Sequence, residues 1–350
     1  MTATERHALV LAGGRGERFW PWSRPERPKQ LLPLASDGRT LLRATIDRAL
    51  ALVPAERILV LTARDLVDAI RRECPAGVEV VGEPVPRNTA PAIAAAAARF
   101  GPASSFVVMP SDHLIEDTRA FAADLERMFA AAERDPVLIT FGIPPSGPDT
   151  NFGYVKSGQK VGERLFRVAA FKEKPDRAKA EAWLGEGGYS WNSGIFVWRS
   201  QVFLDALAAS KPAIAAPFRG TTFASAEEMS AGLDRSFPAI ESISVDYAVL
   251  EHAPNVLVLE ASFDWDDLGS WNAWARRQPQ DARGNVLRGN AQAIDCDRCI
   301  VVSDDGAPAA ALGLRDLIVV KSANGTLVCP RDASDQVRKV VEALRGKGGA

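Results

Sequence analysis

Cysteine and histidine are scarce in this 350-residue chain, with four of the first (Cys74, Cys296, Cys299, Cys329) and three of the second (His7, His113, His252). So few thiols in so long a chain do not make a disulfide framework, and they read as reduced cysteines. Cys296 and Cys299 form a Cys-x-x-Cys, but no second pair stands near them and no histidine follows at zinc-ligand spacing. A structural zinc site normally takes four such ligands, so a metal or redox role for the pair is the minor reading beside that of reduced thiols. Neither sign of charge is in excess: lysine plus arginine total 42 against 44 aspartates and glutamates, a formal net charge of −2. That balance speaks against a general nucleic-acid or membrane-surface binder, which would carry a basic surplus. Long hydrophobic runs are missing too, because the longest apolar stretch, residues 90–98, is alanine-rich and too short to span a bilayer. The first six residues are polar and carry no signal-peptide core. The expectation is a cytoplasmic protein with neither nucleic acid nor membrane as partner.

What is present is ordinary globular composition, 47% apolar and 25% charged, long enough for two or three domains and a sizeable core. Val-, Ile- and Leu-rich runs at 8–11, 57–61, 78–81, 105–109 and 137–141 predict strands. Helical spacing falls between them at 41–52, 66–73, 90–100 and 119–132, with Thr40 and Thr118 as N-caps and Pro54 and Pro75 just past helix ends. Such alternation implies βαβ units, an α/β fold and a mixed, mostly parallel sheet covered on both faces. Ligands of such sheets bind beyond the carboxyl ends of the strands. From residue 151 the pattern shifts to antiparallel or mixed strands at 152–156, 166–171 and 193–198 around a helix at 176–184. Helices at 201–209, 226–233 and 245–251 follow. A charged break at 276–284 suggests a boundary near Pro279, dividing a domain 1–279 from a small β-rich C-terminal domain 280–350. The latter has short β-like runs at 286–287, 299–303, 317–321 and 326–329 and a final helix at 333–344, and no constellation in it suggests chemistry.

The first strand runs directly into Leu11-Ala-Gly-Gly-Arg-Gly-Glu-Arg-Phe19. Glycines at 13, 14 and 16 let backbone N–H groups close on an anion. Five cations (Arg15, Arg18, Arg24, Arg27, Lys29) stand against Glu17 and Glu26 between residues 15 and 29. Such concentration suits a polyphosphate, which arginine binds in bidentate fashion. A solvated charged loop is the plain alternative, but Phe19, Trp20 and Trp22 are costly to leave in water. The glycine spacing does not complete a dinucleotide fingerprint, which weakens an oxidoreductase reading.

The segment from Leu11 to Pro33 resembles the signature of the sugar-nucleotide pyrophosphorylases, and its Arg27-Pro-Lys-Gln30 ending is similar to that of the mannose-1-phosphate guanylyltransferases. The resemblance continues through Glu83-Pro-x-x-Arg-Asn-Thr-Ala-Pro91, Pro110-Ser-Asp-His113, Asn151-Phe-Gly-Tyr154, Phe171-Lys-Glu-Lys-Pro175, Trp191-Asn-Ser-Gly194 and Trp265-Asp-Asp-Leu-Gly269. It implies a Rossmann-like nucleotide-diphospho-sugar transferase fold and a β-helix-like C-terminal domain that in related enzymes contributes to homodimers. Long members of the family carry a further isomerase domain; the sequence stops before one, so isomerase activity is not expected.

The implied reaction joins GTP and α-D-mannose 1-phosphate into GDP-mannose and pyrophosphate with Mg²⁺, a phosphate oxygen of the sugar attacking the α-phosphorus in line. By resemblance, Gly13, Gly14 and Gly16 wrap the nucleotide, Arg18 neutralises the leaving phosphates and Lys29 lies along the α-phosphate path. Asp112, also counted with the nucleotide, and Asp267 hold the metal, with Asp266 the alternative to Asp267. Glu83 accepts hydrogen bonds from the guanine edge, helped by Asn88 and Thr89. Lys174 reaches the sugar phosphate, Glu173 the sugar hydroxyls, and Gly153 and Asn192 complete the sugar pocket. Plainer readings stand beside these: Asp112 as a turn residue or cap, Asn88 and Thr89 as caps of the helix that follows, Lys174 as an exposed turn charge, and Asn192 as a structural amide. His113 is given no catalytic role.

Overall fold

The computed structural model describes residues 4–346. The chain packs as two compact units, each assembled from separate pieces of sequence. The first takes the chain up to Gly13, then 45–111 and 115–265; the second takes 14–44, 112–114 and everything from Asp266. The expected boundary near Pro279 falls inside the second unit.

The first unit is built on a nine-stranded sheet: β1 (Arg6–Ala12), β2 (Ile58–Ala63), β3 (Glu79–Glu83), β4 (Ser105–Pro110), β5 (Leu138–Ile143), β6 (Tyr154–Gly162), β7 (Leu165–Lys172), β8 (Tyr189–Arg199) and β9 (Val256–Glu260). Their order is β3-β2-β1-β4-β8-β5-β9-β7-β6. Only β7 and β8 run against the others, which gives the mixed, mostly parallel sheet the alternation implies. Parallel strands are covered on both faces, so they read as unbroken apolar runs: Ala8, Leu9 and Val10 of β1 and Leu59 and Val60 of β2 are fully buried. The helix Thr89–Phe100 is buried at every position from Ala90 to Ala98. A helix with no polar stripe belongs in a core, and this one is part of the main apolar cluster. Among the described residues, no helix is long and apolar enough to cross a membrane.

Three expectations change here. The strand β9 is absent from the expected set, although its Val-Leu-Val-Leu run is what a strand buried on both faces looks like. Residues Asp246–Leu250 form a π-helical turn rather than an α-helix. The cap of the helix Thr118–Arg134 is Asp117, whose carboxylate accepts from the Ala120 N–H at 2.9 Å, so Thr118 is already inside the helix.

The second unit carries six short strands, β10 (Val286–Arg288), β11 (Ala291–Ile294), β12 (Ile300–Ser303), β13 (Ala309–Leu312), β14 (Leu317–Ser322) and β15 (Gly325–Pro330). β10, β12 and β14 stack in parallel with β15 antiparallel at the edge, and β11 pairs with β13 in a second parallel ladder. Successive coils thus feed two faces, as in a β-helix. β11 and β13 escape the sequence reading because they are mostly alanine, which has little strand preference. Phe19 and Trp22 are buried against Trp271 and Trp274, with ring centroids 5.1–5.8 Å apart, so the cationic segment is anchored rather than solvated. Cys296 and Cys299 are free thiols packed with Val301, Ala309 and Ala311. The final helix, Val337–Arg345, follows a 3-10 turn at Arg331–Gln336 and so begins later than its expected start at 333.

Asp117→Ala should cost about 1 kcal/mol of stability in denaturant titration, the usual value of an N-cap. Thr118→Ala should cost clearly less, and the reverse ranking would show that the cap is misassigned.

Candidate active site

In the second unit the glycine loop closes on Lys29. Gly16 lies in the left-handed region (φ +62°), and an added Cβ would collide with the Cβ and backbone nitrogen of Lys29. Glycine is required there on both counts. Ser23 Oγ donates to the Gly16 carbonyl at 2.8 Å and Gln30 Nε2 to that of Gly14 at 3.0 Å, fixing the loop. Lys29 is 5% exposed; its Nζ donates to Asp112 Oδ2 at 2.9 Å and to the carbonyl oxygen of Asp267. Arg18 Nη1 donates to the Gly269 carbonyl at 3.3 Å. Arg15, Arg18, Lys29, Asp112 and Asp267 line one cavity of about 430 Å³, together with Glu17, His113 and Arg338. Residues distant in sequence are therefore gathered round one space, and Arg338 brings in the C-terminal segment in which the sequence showed no chemistry.

The two acids of this cavity differ. Burial opposes the charge of Asp112, but the Lys29 ammonium and His113 hold its carboxyl below the usual aspartate range. Burial pushes Asp267 up to about 6, only partly offset by Lys29, with Asp266 adding repulsion. Asp266 itself lies 3.3 Å from Arg277 Nε and 3.9 Å from Arg276, and accepts from the Leu268 N–H at 2.9 Å. Its charge is answered by two arginines, whereas Asp267 faces the cavity.

In the first unit, Glu83 ends β3, and burial raises its carboxyl to about 7. Asn88 has φ +64° and its Oδ1 accepts from the Thr89 N–H at 2.8 Å, so it does cap the helix. The Thr89 hydroxyl accepts from the Val245 N–H at 2.8 Å.

Gly153, Glu173 and Asn192 come together in the same unit. A Cβ on Gly153 would collide with Glu173 Oε2, and the Gly153 carbonyl accepts from the Asn192 N–H at 2.8 Å. The Asn192 amide is itself held, its Nδ2 donating to Asp246 Oδ1 and its Oδ1 accepting from Thr140 Oγ1, both at 2.9 Å. Burial first, and then the Asp246 charge, raise Glu173 to about 7. Lys174, at φ +46° and largely exposed, places its Nζ 3.3 Å from Glu173 Oε1. Asp246 is the residue the sequence reading passed over. Its signal is a lone acid in the run Val245-Asp-Tyr-Ala-Val-Leu250, where an apolar residue is the norm.

A nucleotidyl transferase family profile matches residues 7–284, and one for the MannoseP isomerase/GMP-like β-helix domain matches 289–344. The chain is 35% identical over 354 residues to the mannose-1-phosphate guanylyltransferase of Klebsiella pneumoniae, covering 96% of this chain and 73% of that protein. It belongs to the nucleotidyl transferase family, among the mannose-1-phosphate guanylyltransferases. The xanthan biosynthesis protein XanB of Xanthomonas campestris pv. campestris is 36% identical over 348 residues, covering 97% of this chain and 73% of its own. A crystal structure of mannose-1-phosphate geranyltransferase from Thermus thermophilus superposes with a TM-score of 0.87 at 36% identity, covering 98% of this chain and all of the other. UDP-glucose pyrophosphorylase from Acinetobacter baumanii, at 16% identity and a TM-score of 0.52, shares the fold over 78% of this chain and 92% of its own.

The acids of this guanylyltransferase-family chain make stability depend on pH. Glu173 titrates near 7 when folded, against about 4.3 for a free glutamate, so the native state keeps a proton that the unfolded chain releases. Stability therefore falls as pH rises through roughly 4.5–7 and stays lower above it. Glu173→Gln should stabilise the protein at pH 8, by on the order of 2 kcal/mol, and flatten this slope. An unchanged pH profile in urea titrations would show that Glu173 is not the strained acid.

Proposed function

We propose that this chain transfers GMP from GTP to α-D-mannose 1-phosphate, releasing pyrophosphate. The observation that carries the reading is the single cavity in which Arg15, Arg18 and Lys29 stand with Asp112 and Asp267. Both substrates are anions, so the protein's work is to hold them in line and neutralise the charge that grows on the leaving pyrophosphate. The glycine loop takes the triphosphate, and Arg18 faces the leaving phosphates with a guanidinium whose planar fork suits phosphate oxygens. Lys29 cannot wander, because Asp112 and the Asp267 carbonyl hold its ammonium, so its charge is oriented before any ligand arrives.

Members of this family typically use a divalent metal. The cavity fits a hard cation such as Mg²⁺, which takes oxygen ligands and needs only one or two carboxylates besides phosphate and water. Asp112 and Asp267 supply two, and the raised pKa of Asp267 marks a carboxylate short of positive charge. The ion would add positive charge at the phosphate oxygens.

In the first unit Glu83 and Glu173 are desolvated acceptors, suited to the N–H donors of guanine and the hydroxyls of mannose respectively. Asn192, held by Asp246 and Thr140, and the small Gly153 shape the sugar pocket, while Lys174 offers the cation that a sugar phosphate requires.

Pyrophosphate should appear only when GTP, mannose 1-phosphate and a divalent cation are all supplied; a coupled assay over panels of triphosphates and hexose 1-phosphates tests this. Lys174→Ala should raise KM for the sugar phosphate far more than KM for GTP. Arg18→Ala should lower kcat by roughly 10²-fold, the scale of losing one transition-state donor. Turnover of another base or sugar in preference would overturn the substrate assignment.

A further inference from the structure

Arg338 lies on the C-terminal helix Val337–Arg345, in the β-helix portion of the chain, yet it lines the same cavity as Arg18, Lys29, Asp112 and Asp267. Its Nε is 3.3 Å from Glu17 Oε2 and 3.2 Å from Glu342 Oε1. Glu17, in the 3-10 turn of the glycine loop, also takes Arg345 Nη1 at 2.7 Å. One carboxylate of the phosphate loop is thus clasped by two arginines of one helix. Only Arg338 reaches the cavity; Arg345 opens onto a separate hollow with Trp20 and Arg24.

We infer that Arg338 is a polyphosphate-binding residue of the active site, supplied by the C-terminal helix, and that it carries its charge to the pyrophosphate portion of the nucleotide. The inference rests on the proposed nucleotidyl transfer and extends it to a part of the chain with no assigned role. Four cations (Arg15, Arg18, Lys29, Arg338) face three acids (Glu17, Asp112, Asp267) across this cavity. Lys29 is paired with Asp112, and the arginines add their charge to its own where a triphosphate would lie. Arg338 is 67% exposed and its Nε lies between two carboxylates, partners that a phosphate can replace.

Calorimetric binding of inorganic pyrophosphate to the full chain tests the inference apart from turnover. Arg338→Ala should weaken pyrophosphate about three- to tenfold, the range for one partly exposed ionic contact, and Arg338→Lys should recover part of the loss. Arg345→Ala, which cuts the other arm of the clasp, should leave pyrophosphate binding within about twofold, as should Glu342→Gln. In the full reaction Arg338→Ala should raise KM for GTP and leave KM for mannose 1-phosphate unchanged. Equal losses in Arg338→Ala and Arg345→Ala would reduce Arg338 to a strut of the loop and overturn the inference. Normal pyrophosphate binding in Arg338→Ala would do the same. If the wild type binds pyrophosphate but turns over no sugar phosphate, it is the proposed reaction that fails, while the binding comparison still decides the role of Arg338.

Discussion

A single ammonium group organises the phosphate cavity. Burying a lysine costs several kcal/mol unless its charge is answered, and Lys29 is answered twice, by the Asp112 carboxylate and by the Asp267 carbonyl. Those two partners come from distant points of the sequence, so satisfying one cation fixes three segments around one point. Gly16 permits the approach, since any side chain there would strike Lys29. The same contact divides the two acids. Asp112 receives the ammonium at its carboxylate and is held low, whereas Asp267 gives only its backbone oxygen and its carboxyl stays high. The two acids are thereby told apart by which atom each offers to the lysine.

Much of the fold was legible because fully buried parallel strands leave little ambiguity: unbroken runs such as Leu9-Val10-Leu11 and Val107-Val108-Met109 have no polar face to suggest anything else. The β-helix was less so. Its rungs are short, and Ala291-Gln-Ala-Ile294 and Ala309-Ala-Ala-Leu312 gain their strand geometry from stacking on one another rather than from residue preference. The Cys296-x-x-Cys299 turn shows the same dependence on neighbours. Asn285 donates to the Cys296 carbonyl and accepts from the Cys299 N–H, both at 2.8 Å, and this amide holds the turn where a metal would in another setting. Of the residues round the cavity, the glycine loop and the isolated aspartates stand out in the sequence because glycine clusters and lone acids after strands are locally unusual. Asp246 shows only as a lone acid in an apolar run, and Arg338 not at all; their partners, Asn192 for the first and Glu17 for the second, are remote in sequence.

Opposite electrostatic strategies serve the two halves of the proposed reaction. The second unit gathers guanidinium and ammonium groups round the cavity to which the proposed reaction assigns phosphate. The first unit instead buries carboxylates with too little positive charge nearby, and Glu83, Glu173 and Asp246 are all raised by burial. A desolvated carboxylate without a cation is a strong acceptor in search of N–H or O–H donors. Guanine and a hexose are rich in such donors, and neither brings a charge of its own to the contact. Binding them would restore what desolvation removed, and in the proposed reaction these acids would discriminate against ligands that lack the donor, the one kind of selectivity an apolar wall supplies poorly.

That argument also explains why Asn192 is held so firmly. With Glu173 and Asp246 in one neighbourhood, two carboxylates repel, and the amide of Asn192 donates to Asp246 on one side and accepts from Thr140 on the other. Asp246 is thereby turned toward the amide, and Glu173 keeps Lys174 as its charged neighbour. Glycine at 153 leaves Glu173 Oε2 the room that any Cβ would occupy. The proposed sugar pocket is thus defined less by what its residues touch singly than by how one amide and one missing side chain allow two like charges to coexist.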